Sequence, residues 1–199
     1  MKKGIIAIII LIVLGVIIGG WYVRTNNMLV DMKGQATKQW ANVESSYQRR
    51  SDLIGNLVKT VQGAADFERE TLTDVIEARA KATSTTIDAN NLTAEQLAEF
   101  QQAQTGLSSA LSRLLVTVER YPELKANQNF LELQSQLEGT ENRINVERNR
   151  FNDLAGEYNI KIKQIPTNII ASLANFDEMA LFASNPGAEN APDVNFDFE

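Results

Sequence analysis

The chain of 199 residues contains no cysteine and no histidine. Those absences exclude disulfide scaffolds, thiol nucleophiles, Ser-His-Asp triads and ordinary zinc sites, each of which needs one of the two side chains. Proline is scarce: four occur, and only Pro122 and Pro166 fall between Met28 and Phe182. Basic residues are also few, 19 against 25 acidic ones with a pI near 4.9, so nothing here supplies the counterion release that holds nucleic acid. No Lys or Arg follows Lys163, whereas Asp177, Glu178, Glu189, Asp193, Asp197 and Glu199 do, and these six carboxylates equal the formal net charge of -6. The remaining chain is charge-balanced, the pattern of a helical body followed by an acidic end. A hydrophobic share of 44% is too high for a disordered chain of this length and suits one modest domain.

What the chain does have is a long uncharged run, from Gly4 through Ile5 and Ile12 to Val23. Its ~20 residues make ~30 Å of helix, the thickness of a hydrocarbon core. Lys2 and Lys3 flank one end, and Trp21, Tyr22 and Arg24 mark the other, where amphipathic rings and a cation prefer the headgroup layer. A cleaved signal peptide is the competing reading, but its apolar core is shorter, and Gly19-Gly20-Trp21 is a poor cleavage site. With no cysteine to carry a lipid, the apolar helix itself is the expected anchor, and the lipid bilayer a partner. The basic head reads as a signal anchor, with the head in the cytoplasm and the body outside. Arg24, Lys33 and Lys38 on the far side nearly balance that count.

The fold class expected is all-α: an elongated antiparallel helical bundle following one N-terminal transmembrane helix. Residues 1–24 form the anchor, 28–182 the bundle and 183–199 an acidic irregular tail. Trp40, Tyr47, Ile54, Val61 and Val75 share a seven-residue period, joined by Val43, Leu57, Val58, Ala64, Ala65, Leu72 and Ala78, which predicts one long amphipathic helix from Met28 to Ala82. Gly34, Gly55 and Gly63 inside it predict a close helix contact or a bend. The polar stretch from Thr83 to Asn91 predicts a connection. Thr93 and Gln96 form a capping-box signature opening a second helix, through Leu97, Phe100, Leu107, Leu111, Leu114 and Val118, which runs to Tyr121. A third helix, with Phe130, Leu137, Ile144, Phe151, Tyr158 and Ile165 seven apart, runs from Asn127 to Pro166, and Asn168 to Leu173 forms a short fourth element. Three heptad-patterned stripes bury one another as an antiparallel coiled-coil-like bundle.

The segments RRSDLIGNLV (Arg49–Val58), VIEARA (Val75–Ala80), ERYPELKANQNF (Glu119–Phe130), LEGTENRI (Leu137–Ile144) and RNRFNDLAGEYN (Arg148–Asn159), followed by QIPTNIIA, resemble the LemA family. The resemblance extends from Met28 to Phe182. It implies a bacterial envelope protein with one membrane helix and a body of antiparallel helices, and an association with membrane zinc metalloproteases of the HtpX type. It also implies a cytoplasmic body, opposite to the orientation suggested by Lys2 and Lys3. Two positions depart from the family pattern: Gly55 stands where proline is usual, and Phe67-Glu68 where His-Glu is frequent.

Charged residues on or beside the stripes form the candidate site: Arg49, Arg50, Asp52, Glu68, Arg79, Glu119, Glu141, Arg143, Arg148 and Arg150, with Arg50 and Glu147 on the seam itself. A charge there must pair or leave the core. The structural reading, interhelical ion pairs that hold register, outweighs a carboxylate-arginine catalytic site, because a narrow rod has little concavity. Tyr121-Pro122-Glu123 and Asn152 to Asn159 read as turn chemistry and helix packing. No catalytic residue, metal or cofactor is assigned. At the end of the chain Val194, Phe196 and Phe198 alternate with polar residues, either as a solvated terminus or as a strand that docks on a partner. The function expected is a non-enzymatic, self-associating envelope scaffold (a homo-oligomer), with an adaptor of a membrane metalloprotease as the alternative.

Overall fold

In a computed structural model the described residues are 2–63, 68–85, 87–89 and 91–183, with side chains from Gly4 onward. All regular structure among them is helical: α1 (Lys2–Gln62), α2 (Arg69–Ser84), α3 (Ala94–Val118), α4 (Pro122–Lys125), α5 (Gln128–Lys163) and α6 (Thr167–Leu173). Helix α1 has 61 residues and is continuous through Val23 and Arg24 into the body, a rod of ~90 Å. Its first part is fully exposed apolar surface, with Ile5 at 57% and Ile12 at 60%, and is long and apolar enough to cross a membrane.

The helix expected from Met28 to Ala82 is two helices. Helix α1 ends at Gln62, a turn follows at Gly63, and α2 folds back beside α1. The stripe itself dictates this. Val61 and Leu72 belong to the same apolar cluster as Ile54, Leu57 and Val75, and a straight helix cannot bury both halves of one stripe against each other. Gly63, lacking a Cβ, is the least helix-favouring residue available for the break. Gly55 is the close contact: a Cβ there would lie 3.3 Å from the Arg79 guanidinium carbon, so α2 leans its arginine across α1 at that point. Gly34 meets nothing within 4 Å. Ala64, Ala65 and Phe67 lie outside the described residues.

The Thr93–Gln96 capping box forms reciprocally and starts α3. Helix α3 ends at Val118 rather than Tyr121, and Pro122, with no amide hydrogen to leave unpaired, opens the short α4. The Asn127 side chain accepts from the amides of Asn129 and Phe130 and caps α5. Helix α5 stops at Lys163, short of Pro166, and this leaves Ile165, the last member of its seven-residue series, 85% exposed. Helix α6 closes on Asn175, in the left-handed region at φ 55°, with the Phe176 amide bonded to Ala171 O at 2.9 Å. That reversal sends residues 176–183 back along α5 as an extended strap.

Helices α1 and α5 run antiparallel, as do α1 with α2 and α2 with α3, so α1, α2, α3 and α5 form a four-helix bundle. Its interior is two apolar clusters. The one nearer the apolar end of α1 centres on Trp40, which stacks on Phe182 at 5.5 Å and meets Phe100 and Phe151 edge-on. The far one joins Ile54, Leu57 and Val61 to Val75, Leu107, Leu114, Phe130 and Leu137. Edge-to-face and stacked ring pairs add about 0.5–1.5 kcal/mol each beyond area burial.

Candidate functional site: a polar layer across the bundle

Between the two clusters lies a layer of polar side chains from three helices. Arg50 of α1 is 4% exposed, held there by the stripe on which it sits. Its Nη1 donates to Glu141 of α5 at 2.9 Å and to the Ser108 hydroxyl of α3 at 3.2 Å, and its Nη2 donates to Gln104 Oε1. Nε has no partner. The guanidinium carbon sits 5.0 Å from the Tyr47 ring centroid, in reach of the ring's negative face. Gln104, buried on α3, completes the layer by donating to Ala82 O of α2 at 3.3 Å, so all four bundle helices are tied together at this level.

A second buried charge, Glu147, lies between one and two turns further along α5 than Glu141. Its Oε2 accepts from Gln39 Nε2 at 2.7 Å, and its Oε1 faces Arg150 at 3.5 Å and Arg143 at 4.0 Å, both on the same helix. Arg50 and Glu147 therefore have separate partners. Of the remaining candidates, Arg79 donates to Ser51 O at 2.8 Å and faces Asp52 at 3.7 Å, while Glu68 pairs with Arg120 at 2.8 Å and Glu119 with Lys125. Arg49, Asp52 and Arg143 converge only as the walls of an open surface groove of about 560 Å³ between α1 and α5. These charges are thus distributed along the rod, most of them engaged by a partner close by, with Arg49 only lining the groove. Among the described residues no group of three or more carboxylates stands where it would hold a metal ion.

The apolar end of α1 presents Trp21 at 36% and Tyr22 at 39% exposure, with Gly4, Ile5, Ile12 and Val23 open to the surroundings. Val194, Phe196 and Phe198 lie outside the described residues.

The sequence reading missed the strap. Asn152 and Asn159, seven apart on α5, each grip its backbone twice. Asn159 donates to Met179 O and accepts from Met179 N, at 2.8 and 2.9 Å. Asn152 does the same with Phe182, at 2.9 Å both ways. Arg148 lies over the Phe182 ring at 4.5 Å, and Tyr158 donates to Asp177 O at 2.9 Å. The signal was a pair of asparagines one heptad apart beside Phe151 and Tyr158, a place where a solvent-facing residue would ordinarily be charged. Burial pushes the Tyr158 phenol up to about 12, with the Asp177 carboxylate adding in the same direction. Burial likewise raises Tyr47, against the opposing pull of Arg148 and Arg50.

Together these features define a class: a four-helix bundle, crossed by a polar layer, standing on a long apolar N-terminal helix. The LemA family model matches residues 39–196, and the chain belongs to that family. It is 27% identical over 180 residues to the magnetosome protein MamQ 1 of Paramagnetospirillum magneticum and to the magnetosome protein MamQ of Magnetospirillum gryphiswaldense. Each match covers 82% of this chain and 66% of the relative, so the chain spans just under two thirds of those proteins' length. It is 22% identical to protein LemA of Metamycoplasma hominis, over 82% of this chain and 71% of that protein.

Proposed function

We propose that the chain is a membrane-anchored, non-enzymatic helical scaffold that acts by self-association, its body on the periplasmic side of a bacterial cytoplasmic membrane. The observation that supports this reading is the continuity of α1: one helix without a hinge runs from the apolar segment into the centre of the bundle. A membrane enzyme tethered for convenience needs only a flexible linker, whereas an unbroken helix fixes the height and direction of the body above the bilayer. The distribution of charges into local ion pairs fits a body built for rigidity. Within the apolar segment Gly15 and Gly19 are four residues apart on one face and meet nothing within 4 Å, which lets a second copy of the helix approach closely. The relatives named for the magnetosome accord with a part in an assembly.

The experiment is extraction in a mild detergent followed by mass measurement with light scattering. A homo-oligomer is expected. Recovery as a stable complex with a membrane metalloprotease would favour the adaptor reading instead, and a lone monomer would overturn both.

A further inference from the structure

We propose that the end of the bundle nearest the apolar segment is itself a lipid-binding surface, in which Ile165, Ile169 and Leu173 enter the bilayer interface beside the spanning helix. The inference rests on the reading of Gly4–Val23 as a membrane span. Its own ground is the location of exposed apolar side chains on the body. Ile76, Val116, Leu131 and Val146 stand singly along the rod, as scattered apolar residues do on any soluble surface. Ile160, Ile165, Ile169 and Leu173 are different. They are 60%, 85%, 55% and 70% exposed, and they gather where α5 ends and α6 begins.

Ile169 and Leu173 are four apart on one face of α6, whose Thr167, Ile170 and Ala171 are buried on the opposite face against the bundle, and Ile165 is exposed in the turn just before it. The face has no cover from the strap, which leaves α6 at Asn175 and runs down α5 in the other direction. An uncovered apolar face of this kind ordinarily marks an interaction surface.

The register of α1 against α5 states how far this face is from the membrane. Arg50 faces Glu141, and Trp40 meets Phe151, so successive residues of α5 descend α1 one for one. Continuing that register brings Lys163 level with Met28. Thr25 and Leu29, 6% and 0% exposed, are accordingly the first buried residues of α1, and Ala171 of α6 joins Leu29 in the same apolar cluster. Met28 lies five residues past Val23, a rise of ~8 Å. The headgroup layer is ~5–8 Å deep on each side of the hydrocarbon. Because α1 has no hinge in which this distance could be lost, the exposed face of α6 is carried at headgroup height, between the Trp21-Tyr22 belt and the body. Lipid is thus the occupant that continuity with the span provides. The charges nearby are mixed: Arg24, Lys33, Lys161 and Lys163 against Asp31, Glu157, Asp177 and Glu178, with Lys163 and Glu178 paired at 2.7 Å. Attachment is therefore apolar, and does not need anionic lipid. Two contacts with one bilayer, a span and an interfacial face, would set the azimuth of the bundle as well as its height.

The lack of cysteine makes the test direct. Single-cysteine variants of the full chain, Ile12→Cys, Val116→Cys, Ile165→Cys, Ile169→Cys and Leu173→Cys, are labelled with a nitroxide and reconstituted in phosphatidylcholine vesicles. Collisions of each label with oxygen, which concentrates in lipid, are compared with collisions with a water-soluble nickel chelate. Labels at 165, 169 and 173 are expected to show an oxygen-to-nickel ratio several-fold above that at Val116 and approaching that at Ile12. A ratio at all three equal to that at Val116, with Ile12 still in lipid, overturns the proposal and leaves the anchor standing. Shielding of all three from both reagents overturns it in favour of protein covering the face. A water-like ratio at Ile12 overturns the anchor, and this proposal with it.

Discussion

Arg50 and Glu141 form a lopsided ion pair: the two charges meet at 2.9 Å, but the arginine side chain is 5% exposed and the glutamate 51%. The pair lies at the level where the two apolar clusters part. Its asymmetry determines which partner is costly to lose, because a carboxylate at the surface can turn to water and a buried guanidinium cannot.

Glu141→Ala should therefore destabilise the chain by about 3 kcal/mol, since it leaves Arg50 charged in the interior with only neutral partners. Arg50→Met should cost less, because Glu141 stays solvated and the methionine fills much of the space, although Gln104 loses a donor. The double variant should recover most of the loss seen in Glu141→Ala. Denaturant unfolding of the detergent-solubilised chain measures this. Equal losses in Glu141→Ala and Arg50→Met would show that the layer contributes through packing and not through its charge.

The asparagine grips on the strap should be separable from the bundle. Asn152→Ala removes one donor and one acceptor from Phe182, and Asn159→Ala does the same at Met179, each at about 2 kcal/mol for the strap. Hydrogen exchange at the 179 and 182 amides should accelerate markedly, while amides in the middle of α3 stay protected. Trp40 emission should shift as Phe182 leaves its face. Uniform acceleration throughout the bundle would mean that the strap is an integral part of the core rather than a cover on it.

Alkaline pH should weaken the fold through Tyr158. The phenol ionises near 10 when unfolded and near 12 when folded, so between those values the unfolded chain has released the proton and the native one has not. Stability is intact below pH 10 and falls as pH rises through 12, by at most about 3 kcal/mol from this group. Tyr158→Phe should flatten that slope while losing the hydrogen bond to Asp177 at neutral pH. The check is unfolding midpoints between pH 8 and pH 12 for both chains, and parallel curves would remove Tyr158 as the cause.

Self-association through the apolar helix should depend on Gly15 and Gly19. Replacing both with Leu places branched side chains where a neighbouring backbone would approach, and should reduce the mass of the extracted particle while leaving helical content unchanged. If the mass is unaffected, the contact between copies belongs to the bundle.

The primary structure alone determined the helical class, the apolar N-terminal helix, the capping box at Thr93, the start of a helix near Asn127, and nearly every side of every helix that faces inward. Each of these depends on neighbours within a few turns: Tyr47 and Ile54, or Phe151 and Tyr158, lie on one face simply because they are seven residues apart. What a stripe cannot state is which other stripe it meets. The break after Gln62 turned one expected helix into two because burial of Val61 and Val75 against common partners outweighed local helix continuity, a comparison that exists only once α3 and α5 are in place. The polar layer depends in the same way on a contact between residues 91 positions apart, and the asparagine grips on a strap that folds back 20 and 30 positions. Ile165 shows the difference most simply. Its spacing from Tyr158 placed it in the core, and the end of α5 two residues earlier turned it outward to the surface.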